Sequence, residues 1–99
     1  MAFITHSLGT SYYKTKGFLK DNIPLVCLHG GPGGMSVGLE PLLKLSDQRK
    51  VFIYDQIGGG RSSKIAKSKW KIDTFVQELD YLLDQWKIEE FHLFGASWG

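Results

Sequence analysis

Three apolar runs, each breaking into a glycine-rich turn, constrain this chain more than any other feature. They are Leu25-Val26-Cys27-Leu28, Val51-Phe52-Ile53-Tyr54 and Phe91-His92-Leu93-Phe94. A run without polar alternation is expected of a strand covered on both faces, the condition met in parallel sheets. The stretches between the runs read as helices. One is short, over 39–45. The stronger one runs from Thr74 to about Lys87, where Phe75, Val76, Leu79, Leu82, Leu83 and Trp86 recur at the spacing of one helix face. Thr74 and Gln77 have capping-box spacing, with Asp73 competing for the N-cap, and Glu78, Asp80, Asp84 and Lys87 are assigned to the outward face. Ahead of the first run, 2–8 and 11–19 read as an extended pair turning near Gly9 and closed by Lys20-Asp21-Asn22. Strand, helix, strand, helix, strand predicts one α/β domain over 1–99 with a parallel sheet, whose chemistry collects where the strands end.

Composition narrows the partners. The 99 residues, 42% apolar and 13% aromatic, describe a folded chain. A net charge of +2 from 12 basic and 10 acidic residues gives no argument for nucleic acid or for an anionic membrane. The denser cluster Arg61, Lys64, Lys67, Lys69 and Lys71, with Trp70 beside it, reads as a solvated loop. No stretch approaches the roughly 20 apolar residues of a membrane span, and the N-terminus lacks the pattern of a secretory signal. Cys27 is the only cysteine, which excludes an intramolecular disulfide and a cysteine zinc site. Its place inside an apolar run predicts a packed, inert thiol and a cytoplasmic setting.

The three turns carry the chemistry. They are His29-Gly30-Gly31-Pro32-Gly33-Gly34, Asp55-Gln56-Ile57-Gly58-Gly59-Gly60-Arg61-Ser62 and Gly95-Ala96-Ser97-Trp98-Gly99. Glycine turns after strands also cradle phosphates, but neither GxxxxGK[ST] nor a GxGxxG opening a helix with an acidic residue at the end of the next strand is present. The third turn matches GxSxG at a strand end, where a serine sits on a tight strand-to-helix bend and larger neighbours would collide. Such a serine attacks a carbonyl, and the oxyanion that forms needs preorganised N–H donors. The amides of Trp98 and Gly31 are the expected pair. His29 lies at the same sheet edge; a base role toward Ser97 is conceivable from position alone, but a histidine at a strand end more often braces its loop.

Taken together, His-Gly-Gly-Pro-Gly, Asp-Gln-x-Gly-x-Gly-x-Ser and Gly-x-Ser-Trp-Gly, in this order, resemble the N-terminal part of the proline iminopeptidases (prolyl aminopeptidases) of the α/β-hydrolase superfamily, from about Ser11 to Gly99. The resemblance implies that Ser97 is a nucleophile forming an acyl-enzyme. It implies oxyanion-hole amides at Gly31 and Trp98, and support of the site loops by His29, Gly30, Pro32, Gly33, Asp55 and Gln56. It further implies no metal or organic cofactor, and a small peptide with an N-terminal proline as substrate, close relatives taking amino-acid amides, esters or lactones. Ala96 departs from the glycine common there, and Ile57 and Gly59 occupy variable loop positions. In this fold the triad runs Ser, then Asp or Glu, then His, whereas only Trp98 and Gly99 follow Ser97. The expectation is therefore the N-terminal portion of an α/β-hydrolase fold, incomplete after the nucleophile elbow. Its cap domain and C-terminal half are absent, and it is inactive alone unless a C-terminal segment partners it. A strand-adding interaction module and a small anion-binding domain are the competing classes.

Overall fold

The computed structural model describes residues 2–18, 23–31 and 33–97. The chain begins with a hairpin: β1 (Ala2–His6) and β2 (Gly9–Lys16) pair antiparallel, with His6 opposite Gly9, which takes φ 136°. β2 then lies antiparallel to β4 (Val51–Tyr54), β4 parallel to β3 (Leu25–Leu28), and β3 parallel to β5 (His92–Gly95). The sheet order is β1-β2-β4-β3-β5, so the three parallel strands are neighbours and their C-terminal ends share one edge. The expected extended pair is present, although β2 stops at Lys16; Leu19 and Lys20-Asp21-Asn22 lie outside the described residues.

Side-chain alternation splits the core between two faces of the sheet. Val26, Phe52 and Tyr54 point to the helix α1 (Ile72–Trp86) and pack with Leu82 and Ile88, while Cys27, Val51 and Ile53 pack with Leu39 from a 3₁₀ helix, Ser36–Asp47. Trp86 seals the first face, stacking on Phe52 at 4.4 Å and meeting Tyr13 edge-on at 5.4 Å. Burial of each such side chain stabilises by about 1.5–3 kcal/mol. Cys27 is fully buried, which pushes its thiol up to about 11 and leaves it inert, in keeping with a packed cysteine.

Four local expectations are corrected. The first helical stretch is longer than 39–45 and is 3₁₀, because Pro41 inside it has no N–H to donate and its ring crowds the preceding turn. α1 starts at Ile72 from an extended Lys71 with no side-chain cap; Thr74 and Phe75 already donate to the Lys71 carbonyl, so Thr74 is inside the helix and neither the capping box nor an Asp73 cap forms. Asp73 instead lies in the first turn, where its charge faces the helix dipole favourably. Glu78 is not on the outward face but fully buried. β5 is exposed along its whole length, Leu93 at 52% and Phe94 at 43%, because it is the outermost strand and among the described residues nothing lies over it. The basic residues Arg61, Lys64, Lys67, Lys69 and Lys71 are exposed, as a solvated loop requires. Among the described residues no helix is long and apolar enough to cross a membrane.

Candidate active site

The third turn bends sharply at Ser97. Ala96 donates to the Leu28 carbonyl at 3.2 Å, extending the β3–β5 ladder, and Ser97 then takes φ 57°, the left-handed region that side chains other than glycine rarely adopt. Its side chain is exposed. The first turn is packed against this bend: a Cβ at Gly30 would sit 3.0 Å from the Ala96 carbonyl oxygen and 3.2 Å from Ser97 Cβ. Only a hydrogen fits there comfortably, which is the steric reason for a glycine. Gly31 follows at φ 70°, its carbonyl receiving the Gly34 N–H at 3.1 Å, with open space where a side chain would be. Gly33, at φ 86°, lies under the indole of Trp70. Pro32, Trp98 and Gly99 lie outside the described residues.

His29 is buried and joins the first turn to the second. The Gln56 backbone N–H donates to its Nε2 at 2.9 Å, so Nε2 carries the lone pair and Nδ1 the proton, donated to the Gly30 carbonyl at 3.0 Å. The Gln56 side-chain amide returns a bond to the His29 carbonyl at 2.9 Å. With both nitrogens committed, the ring has no free lone pair for a serine proton.

The second turn is suspended from Asp55. This carboxylate is fully buried: Oδ1 accepts from the Ser36 N–H and hydroxyl, both at 2.7 Å, and Oδ2 from the Arg61 N–H at 2.9 Å and its guanidinium Nε at 3.1 Å. Burial by itself would raise this carboxyl, but the donors of Arg61 and Ser36 outweigh it and hold Asp55 below the usual carboxylate range. Arg61 also lies over the Tyr12 ring, 3.8 Å from its centre. Ser62 locks the turn to β2, donating to the Asp55 carbonyl at 2.5 Å and accepting the Tyr12 N–H at 2.8 Å. A Cβ at Gly59 would run into the backbone of Gly33 and Gly34, so the second turn also packs on the first.

One residue of this framework escaped the sequence reading. Glu78, fully buried on α1, accepts the Ile57 N–H on both carboxylate oxygens at 2.9 Å and the Ser11 hydroxyl on Oε2 at 2.5 Å. A signal existed: position 78 is three residues after Phe75 and four before Leu82, so it belongs to the inward face. Burial raises Glu78 to about 7 against the opposing pull of those donors. Among the described residues no three His, Cys, Asp or Glu side chains stand together as a metal site.

Known proteins resemble this chain in sequence and in fold. Residues 23–99 match the family described as alpha/beta hydrolase fold. The chain is 39% identical over 77 residues to the proline iminopeptidase of Heyndrickxia coagulans, covering 77% of this chain and 27% of that protein. It is 40% identical over 92 residues to the proline iminopeptidase of Clostridium botulinum, covering 90% and 31%. Among solved structures, VinJ superposes with a TM-score of 0.92 at 34% identity over 99% of this chain and 35% of that one. The Mycobacterium smegmatis proline iminopeptidase superposes with a TM-score of 0.91 at 27% identity, over 99% and 36%. The chain thus spans about a third of the length of the curated relatives it matches.

Proposed function

Because the chain belongs to the alpha/beta hydrolase fold family, we propose that it carries the nucleophile portion of a serine hydrolase that releases N-terminal proline from small peptides. The reading rests on one observation above the others: Ser97 stands exposed at φ 57° two residues past the end of β5, with Gly30 packed on its Cβ. In the proposed reaction the Ser97 oxygen attacks the carbonyl carbon of the terminal prolyl residue while its proton passes to a base. The tetrahedral oxyanion is received by the N–H groups of Gly31 and Trp98. Collapse breaks the C–N bond, the leaving amine takes the proton, and water then hydrolyses the prolyl ester on Ser97.

Asp55, Gln56, His29, Gly30, Pro32 and Gly33 support the two loops and do not react. The base and the orienting acid follow the nucleophile in chain order in this fold, so we assign them, with the substrate-holding cap, to the part of the relatives that this chain does not span. The 99-residue chain by itself is then inactive. No metal or organic cofactor enters the scheme, and a cytoplasmic setting is part of it, on the single buried Cys27.

The test is covalent labelling with a fluorophosphonate of the protein expressed from its complete coding sequence. Label on the peptide containing Ser97, abolished by Ser97→Ala, is the expected result; label elsewhere or none removes the hydrolase reading. In that event the exposed β5 strand favours a module that adds a partner strand. Comparing prolyl with alanyl arylamides tests the substrate: equal rates remove proline selectivity and leave an amidase, esterase or lactonase of the same mechanism.

A further inference from the structure

Glu78 is costly where it stands. Its carboxyl is fully buried between α1, β2 and the second turn, and a leucine there would extend the apolar face formed by Phe75 and Leu82. What the carboxyl supplies is an acceptor at one point of the turn. The Ile57 N–H points inward from a loop whose Arg61 N–H is taken by Asp55 and whose Gln56 N–H is taken by His29. From Ile57 the connection to the site is short and continuous. Its neighbour Gln56 holds His29 by two hydrogen bonds, and His29 is followed by Gly30, which packs on Ser97.

The polar contacts behind Glu78 are oriented. The Leu8 N–H donates to His6 Nδ1 at 3.2 Å, which puts the proton of the neutral ring on Nε2. Nε2 lies 2.7 Å from Ser11 Oγ and donates to it, so the Ser11 hydroxyl is free to donate onward to Glu78. Every donor in the chain His6, Ser11, Glu78 therefore points toward the carboxylate, as does Ile57. A protonated Glu78 would present an O–H to the Ile57 N–H, which cannot accept, and to the Ser11 hydroxyl, which would have to turn its own proton away. The ionised form is the one these partners fit, and its loss would free the Ile57 N–H to move.

We propose that Glu78 is a positioning residue for the site: by holding the Ile57 N–H it sets Gln56 and His29, and through them the glycine turn that packs on Ser97. This rests on the hydrolase reading of Ser97. The groups facing Glu78 are His6 on β1, through Ser11 on β2, and Tyr54 on β4, whose phenol is raised by burial and by the Glu78 charge. Tyr81 of α1 stacks on His6 at 5.3 Å.

The experiment uses the protein expressed from its complete coding sequence, as wild type and as Glu78→Gln, Glu78→Asp and His6→Gln. Two quantities are followed between about pH 5 and 9: the backbone amide shifts of Ile57, Gln56 and Gly30, and the rate of fluorophosphonate labelling per folded molecule. The expected result is one common midpoint in all three amides, near the value of about 7 that burial gives Glu78. It persists in His6→Gln and vanishes in Glu78→Gln, whose labelling rate falls about tenfold, with partial recovery in Glu78→Asp. Movement of Ile57 alone, with Gln56, Gly30 and the labelling rate unchanged, overturns the proposal. So does a lower melting temperature in Glu78→Gln with labelling per folded molecule unaltered. If the wild type takes no label, the hydrolase reading fails separately, and the Gln56 and Gly30 amides alone decide whether Glu78 sets the turn.

Discussion

Asp55 and Glu78 hold the same turn from opposite sides, and both are removed from solvent, yet their acidities move in opposite directions. Asp55 receives two donors on each oxygen, among them a guanidinium, and is held below the ordinary range. Glu78 receives one hydroxyl and one shared N–H, and burial raises it to about 7. Burial alone therefore does not decide the charge of a carboxyl; the number and charge of the donors that replace water does. The linkage signs follow. Asp55 contributes stability that is present above its unfolded pKa and lost as pH falls through its lowered folded value. Glu78 takes up a proton on folding, so its contribution is complete below about 4.5 and is lost as pH rises through about 7.

The comparison breaks most visibly if Asp55 is truncated. Asp55→Ala leaves Ser36 and Arg61 facing an empty site, and the expected loss is about 3–5 kcal/mol in urea unfolding at neutral pH. An equal loss from Glu78→Ala at the same pH would erase the distinction between the two ends. Next in size is the pH response. From about pH 5 to pH 8 the Glu78 contribution falls by up to about 3 kcal/mol, seen as a drop in urea midpoint that Glu78→Gln flattens. Gly60→Ala strains only the Asp55 end, since Gly60 takes φ 52° and a Cβ there runs into the Asp55 carboxylate. A cost of about 1–3 kcal/mol is expected, with Ile57 amide exchange unchanged. The smallest effects remove one donor from each carboxyl. Ser36→Ala moves acid unfolding to higher pH, Ser11→Ala moves the Glu78 midpoint further up, and each costs about 1 kcal/mol in the same unfolding assay.

Much of the framework was legible in the residues. The runs at 25–28 and 51–54 are strands because continuous apolar residues leave them no solvent face, and α1 forms because Phe75, Leu79, Leu82 and Trp86 share one face. The glycines mark the turns because left-handed φ at Gly31, Gly33, Gly58 and Gly60, and close approach at Gly30 and Gly59, admit little else. Less was legible where an element depends on its neighbours. β5 carries the same kind of run as β3 and β4, but its burial requires a covering layer that its own residues cannot supply. The helix start at Ile72 was missed because Lys71 caps through its carbonyl rather than its side chain, leaving no residue-type signature.

By itself, then, the sequence determined what is periodic or steric over a few residues: the parallel strands, the principal helix, the three glycine turns and the serine on the third. Only the tertiary structure decided what those turns touch. The Ser11 hydroxyl and the Ile57 N–H reach Glu78 from 67 and 21 residues away, and that meeting turns an apparent surface charge into a buried anchor. The physical reason is that a side chain's polarity is written in its own atoms, whereas its dielectric and its hydrogen-bond partners belong to whichever distant segments the fold brings beside it.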